Sequence, residues 1–150
     1  MKRARRTILF VEDEEDIRLP VGRFFESNDF DVIEADTCAT GLEAFRRSRP
    51  DVTVIDYSLP DGDGLTLVRA FRETDPGIPI VILTGHGTID LAVQAIKQGA
   101  EQFLTKPVEL PVLLAIVNRL IESSTNQRFR LAQESRETRA LDPFFGESPA

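Results

Sequence analysis

The sequence predicts an α/β fold: a doubly wound, five-stranded parallel sheet followed by an extended C-terminal helix. Five short apolar runs alternate with longer segments whose apolar residues recur at helical spacing. Three of the runs are almost unbroken β-branched or aliphatic sequence, as strands buried on both faces of a parallel sheet require. The 150 residues suffice for one domain and are too few for two full-sized ones.

The first strand is expected at 7–11, after a basic tail at 1–6. That tail resembles the start of a signal peptide, but the apolar stretch behind it is too short and runs directly into acid. No run approaches the roughly 20 apolar residues of a membrane span, so the expectation is a cytoplasmic protein. The first helix carries Ile17, Val21, Phe24 and Phe25 on one stripe, with Pro20 expected near its first turn. Asn28-Asp29 ends it, and the second strand follows at 31–35. The second helix, anchored by Leu42 and Phe45, stops before Arg49-Pro50-Asp51. The third strand is read at 52–55. Leu65, Val68 and Phe71 stripe the third helix, and Asp75-Pro76-Gly77 separates it from the fourth strand at 80–83. Leu91, Ala92, Ala95 and Ile96 stripe the fourth helix, closed by Gly99. The fifth strand is read at 102–105. The lone Cys38, which cannot form an internal disulfide, reads as a buried small hydrophobe and fits a reducing compartment.

Charge narrows the function. There are 18 basic and 25 acidic residues, a net charge of −7. Neither the part up to Pro107 nor the remainder has the basic excess of a nucleic-acid surface. Direct nucleic-acid contact by this piece is not expected.

In an open α/β sheet, ligands bind beyond the carboxyl ends of the strands. There the first strand runs into Glu12-Asp13-Glu14-Glu15-Asp16, the third into Asp56, the fourth into Thr84-Gly85-His86-Gly87 and the fifth into Lys106-Pro107. Glu12, Asp13 and Asp56 converge if their strands are neighbours, and a hard divalent cation offsets the repulsion. Asp56 is chemically able to accept a phosphoryl group as an acyl phosphate. Thr84 is able to hydrogen-bond one phosphoryl oxygen, and Lys106 to pair with another or with Asp56 itself before reaction. Each residue also has a bland reading: the acids as a solvated helix start favouring the dipole, Thr84 as a strand-end hydroxyl, Lys106 as a surface lysine. His86 lacks a partner for catalysis and reads as a rim residue. Asp61-Gly62-Asp63-Gly64 lacks the ligand spacing of a calcium loop and reads as turn chemistry.

Four segments, in order and spacing, resemble the flavodoxin-like receiver domain of two-component response regulators over about residues 7–121. They are Val11-Glu12-Asp13-Glu14, the run from Ile55-Asp56 to Asp63-Gly64, Leu83-Thr84-Gly85-His86-Gly87, and Phe103-Leu104-Thr105-Lys106-Pro107. The resemblance implies that Asp56 takes a phosphoryl group from a sensor histidine kinase. It implies that Glu12, Asp13, Asp56 and the backbone carbonyl of Ser58 hold Mg²⁺. Thr84 and Lys106 take the phosphate-contact roles, and Thr84 and Phe103 the switch roles. Leu59 stands where the family usually has Met. Such a domain is a signalling phosphoacceptor that assists its own phosphorylation and dephosphorylation rather than an enzyme. An aspartyl-nucleophile phosphatase of the haloacid dehalogenase type needs a second Asp where Ser58 stands. A dinucleotide-binding module needs glycines where the first turn has acids. The alternative within the family is a free-standing receiver that acts through protein partners alone.

A last helix is expected from near Glu109. Leu110, Leu113, Val117 and Leu120 occupy a and d positions, continued by Ser124, Gln127, Leu131, Glu134, Thr138 and Leu141; the polar members of that seam also fit a helix ending near Ser123-Ser124 with a disordered linker beyond. The chain therefore divides into a tail at 1–6, a receiver at 7–122 and a helical linker at 123–142. Residues 143–150 resemble the opening of the AAA+ module of sigma-54-dependent transcription activators. A homodimer through the C-terminal helix is expected, with AAA+ and DNA-binding modules downstream in a longer chain.

Overall fold

The computed structural model describes residues 5–141, with side chains described for 5–125. Most of the expected tail and the 143–150 motif lie outside the described residues.

Among the described residues, seven strands and five helices follow one another: β1 (Arg6–Val11), α1 (Glu15–Glu26), β2 (Phe30–Ala35), α2 (Cys38–Ser48), β3 (Val52–Asp56), β4 (Ser58–Leu59), β5 (Gly62–Asp63), α3 (Gly64–Thr74), β6 (Ile80–Thr84), α4 (Ile89–Gln98), β7 (Gln102–Thr105) and α5 (Leu110–Leu141). Five strands form a parallel sheet in the order β2-β1-β3-β6-β7. The expected strands are all present. The small antiparallel β4–β5 hairpin was not anticipated, because two-residue strands leave no periodicity to read.

Alternation along the central strands sorts their side chains into two cores. Leu9, Val11, Ile55, Ile80 and Ile82 face α2, α3 and α4, meeting Phe45, Val68, Phe71 and Ala95. Ile8, Phe10, Val52, Val54, Val81 and Leu83 face α1 and α5, meeting Val21, Phe25, Leu113 and Val117. Because β3 and β6 are buried along their whole length, they read as nearly continuous β-branched or aliphatic sequence, broken by the buried Thr53, Asp56 and Thr84.

Several local expectations need correction. Pro20 stands in the second turn of α1, so its missing N–H leaves one helical hydrogen bond unmade. Ile96 is 51% exposed, because α4 buries Ala95 against the sheet and turns a separate face, Ile89, Val93 and Ile96, outward. Leu113 and Val117 are fully buried in the α1 side of the core. The first half of the proposed α5 seam is therefore spent inside the domain. Gly99 closes α4 in the left-handed region, with φ 118°, as its position suggested.

Candidate functional site

Strand order places the site. The chain leaves β1 for β2 on one side and β3 leads to β6 on the other, which opens a crevice between the carboxyl ends of β1 and β3. Glu12 and Asp13 follow β1; Asp56 is the last residue of β3. One carboxylate oxygen from each lies within 4.8 Å of the others. Glu12 and Asp56 are buried, and Asp13 is exposed.

The Lys106 ammonium, carried in just after β7, lies 2.7 Å from Glu12 Oε1 and 3.2 Å from Asp56 Oδ2. Its own backbone N–H donates to the Thr84 carbonyl, which locks the end of β7 to the end of β6. Glu12 Oε2 accepts from the Glu14 N–H and Asp56 Oδ1 from the Ser58 N–H. Burial pushes the Glu12 carboxyl up to about 7; Asp56 adds to the rise and Lys106 opposes it. Burial alone would lower the Lys106 ammonium, but its pairing with Glu12 and Asp56 outweighs this and raises it. Three oxygen ligands from carboxylates with a net surplus of negative charge suit a small hard cation such as Mg²⁺.

Thr84 is buried at the end of β6, and its Oγ1 accepts from the His86 N–H. Phe103 is half-buried one strand away and packs at the edge of the α2–α4 core. The loop after β6 lies over it: a Cβ on Gly87 would come 3.4 Å from the Phe103 ring and 2.2 Å from Thr105 Cγ2. His86 is exposed on the rim, as read from the sequence. Tyr57 donates its N–H to Leu83 O and its carbonyl accepts from the Gly64 N–H, which draws the start of α3 tightly against the end of β3.

That closeness yields a prediction. A Cβ on Gly64 would stand 2.7 Å from the carbonyl oxygen of Asp56, a backbone atom that cannot step aside. Gly64→Ala is expected to cost about 1–3 kcal/mol, the usual range for overpacking. A lowered urea midpoint checks it, and an unchanged midpoint contradicts it.

Asp61 and Asp63 act as helix caps. Asp61 accepts from the N–H groups of Cys38 and Ala39 at the start of α2, and these bonds hold its carboxyl below the usual range. Asp63 accepts from the Thr66 N–H at the start of α3. Cys38 is half-buried rather than buried, with its thiol near the Asp63 carbonyl, and burial pushes it up to about 11. Sequence reasoning missed Arg18, whose guanidinium reaches the backbone carbonyl of Glu12 and the Glu34 carboxylate. Nothing in the sequence marks that contact, because Glu34 is brought to it by β2.

Residues 8–118 match the response regulator receiver domain family. The chain is 34% identical over 128 residues to the transcriptional regulatory protein GlrR of Escherichia coli, covering 83% of this chain and 29% of that protein. It is 35% identical over 150 residues to the response regulator protein PilR of Pseudomonas aeruginosa, covering 97% of this chain and 31% of that one. The chain thus spans under a third of the length of these two relatives. Its fold superposes on the beryllofluoride-activated NtrC4 receiver domain dimer with a TM-score of 0.75 and 31% identity, covering 79% of this chain and 98% of that one. Among the described residues, no helix is long and apolar enough to cross a membrane.

Proposed function

The chain belongs to the response regulator receiver domain family, and on that premise we propose that it is a cytoplasmic phosphoacceptor switch with Asp56 as the acceptor. The observation that carries this reading is the cluster of Glu12, Asp13 and Asp56 with the Lys106 ammonium bridging two of its members. Asp56 Oδ attacks the phosphorus of a phosphohistidine on a sensor kinase. The P–N bond breaks, and an acyl phosphate forms on the aspartate. Glu12, Asp13, Asp56 and the Ser58 carbonyl would hold Mg²⁺, which would supply neutralisation of the phosphoryl oxygens. Lys106 exchanges its Asp56 contact for a phosphoryl oxygen, and Thr84 Oγ1 donates its proton to another. Thr84 thereby draws the loop after β6 inward over Phe103, which carries the signal to α4 and α5. The chain's own part is positioning and charge, so it is a signalling domain rather than an enzyme turning over a separate substrate.

The direct test is incubation with Mg²⁺ and acetyl phosphate, followed by intact-mass measurement. The gain of one phosphoryl group that disappears when Mg²⁺ is chelated supports the reading. No gain, or a gain indifferent to Mg²⁺, overturns it.

We also infer a homodimer through α5, with AAA+ and DNA-binding modules of a sigma-54-dependent activator following in a longer chain. Since Leu113 and Val117 are buried, pairing falls to the helix past Ile121, where Leu131 and Leu141 are the apolar members of the seam. Ser124 donates its hydroxyl to the Gly77 carbonyl of its own domain, and the Gln127, Glu134 and Thr138 positions keep such a pairing marginal. Phosphorylation then needs to shift it by only about 1–3 kcal/mol. The outward face of α4 formed by Ile89, Val93 and Ile96, together with Val112 of α5, is the apolar surface on which that shift acts. Sedimentation should show dimer for the 150-residue chain and monomer for one ending at Ser123. Monomers for both at tens of micromolar, with and without phosphodonor, would make α5 a passive tether.

A further inference from the structure

We propose that Arg18 is a positioning residue for Asp13: its guanidinium fixes the peptide plane from which the exposed acid of the metal cluster projects. The inference rests on the reading of Glu12, Asp13 and Asp56 as a Mg²⁺ site and adds a residue to it.

Arg18 sits one turn into α1. Its Nη1 donates to the backbone carbonyl of Glu12 at 2.7 Å, and its Nε donates to Glu34 Oε1 on β2 at 3.0 Å. The Arg18 side chain is only 17% exposed. On the other side of the same residue, the Glu12 N–H donates to Ala35 O at 2.9 Å. Glu12 is thus held at its N–H by the backbone of β2 and at its carbonyl by a side chain that β2 itself anchors. The carbonyl belongs to the peptide that leads directly into Asp13, so the direction in which Asp13 leaves the strand is set there.

The three acids differ in what else holds them. Glu12 and Asp56 are buried and paired with Lys106. Asp13 is exposed, so packing does little to aim it. A misaimed ligand costs affinity even when its chemistry is intact, because a metal site requires its oxygens in place together. The residue best able to aim Asp13 is the one bonded to the peptide immediately before it.

A second observation supports this use of Arg18. Gly22 lies one turn further along α1, and a Cβ there would stand 3.1 Å from Glu34 Oε2. The absent side chain leaves room for the Glu34 carboxylate to lie against α1 and meet Arg18. The arrangement also needs an arginine. The planar guanidinium can serve a carbonyl and a carboxylate in fixed directions together, whereas a lysine ammonium offers a point charge without that fork.

Two rival roles give different results. As an ordinary ion pair with Glu34, Arg18 would affect stability a little and Mg²⁺ not at all. As a charge that merely offsets the acidic pocket, Arg18 would oppose a cation, so its removal would tighten Mg²⁺ binding. Positioning has the opposite sign: removal weakens Mg²⁺ binding.

The experiment is calorimetric titration of Mg²⁺ into the full chain as wild type, Arg18→Met, Arg18→Lys and Glu34→Ala. Alongside it, phosphoryl uptake from acetyl phosphate is measured as a function of Mg²⁺ concentration. Losing a partner behind a metal ligand typically costs 10–100-fold in affinity, so Arg18→Met is expected to raise the Mg²⁺ Kd roughly tenfold. Its uptake rate at saturating Mg²⁺ should return to the wild-type level. Arg18→Lys should recover part of the affinity, and Glu34→Ala, which frees the guanidinium from β2, should weaken it in the same direction. If Arg18→Met does not fold, the Lys and Glu34 variants decide alone. A Kd that is unchanged or lower in the folded variants overturns the proposal, as does an uptake rate that stays low at saturating Mg²⁺. Wild type that binds Mg²⁺ alongside variants that bind it equally removes only the role of Arg18. Wild type that binds none removes the metal site and this proposal with it.

Discussion

Asp56→Asn is expected to fold and to take up no phosphoryl group under conditions that label the wild-type chain. The carboxylate at the end of β3 is the proposed nucleophile, and an amide of the same size lacks the charge to attack phosphorus. The substitution is mild in other respects. Asn retains an oxygen that can accept from the Ser58 N–H, and Lys106 keeps its 2.7 Å contact with Glu12. Removing one of three crowded carboxylates also relieves repulsion. The variant should therefore melt no lower than wild type in the absence of metal. Because Asp56 contributes to the raised pKa of Glu12, the Glu12 carboxyl should move down in the variant. Intact mass reads the first outcome and thermal melting the second. Equal labelling of both chains would locate the acceptor elsewhere. A variant that loses labelling only because it is unfolded would be exposed by its melt.

What the sequence disclosed follows from which physical constraints are local. Parallel strands buried on both faces must be apolar throughout, so β1, β3 and β6 were legible as runs, and the residues at their carboxyl ends became candidates without knowledge of the strand order. The convergence of Glu12, Asp13, Asp56 and Lys106 then required β1 and β3 to be neighbours, with β6 and β7 following on the β3 side. Contacts that depend on which elements become neighbours were not legible. Heptad spacing cannot say whether Leu113 and Val117 meet a twin helix or the sheet of their own domain, and they meet the sheet. Helical spacing likewise grouped Ile96 with Ala95, although only part of the apolar arc of α4 is covered. Arg18 was silent because its acceptors are a backbone carbonyl and a residue sixteen positions away. Asp61 was read as turn chemistry, and its capping of α2 from the β4–β5 hairpin depends on the same kind of tertiary neighbour.

Mg²⁺ affinity should fall on the order of 100-fold or more in Asp13→Ala and should rise with pH in wild type. Loss of a proposed direct ligand should exceed the 10–100-fold effect typical of residues that only support one. The pH dependence comes from Glu12. Its carboxyl, raised from 4.5 to about 7 by burial, is largely protonated below neutrality in the metal-free protein, and a proton and a cation compete for it. Apparent affinity should therefore climb by up to about tenfold per pH unit towards 7 and level off above it. The stability of the metal-free fold runs the other way. A carboxyl whose pKa is higher folded than unfolded favours the fold below its unfolded value of 4.5, and that contribution is lost as pH rises through about 7. Saturating Mg²⁺ should restore what is lost, since a ligand that binds only the folded state stabilises it. Two further variants separate the residues. Glu12→Gln should abolish the rise in affinity between pH 5.5 and 7, while Asp13→Ala should keep its slope at a weaker level. The chain has no Trp and a single Tyr, Tyr57, which adjoins Asp56. Its emission provides the readout, with calorimetry as a check. An affinity flat across this range in wild type would mean that Glu12 is already ionised, with Lys106 rather than burial controlling its charge.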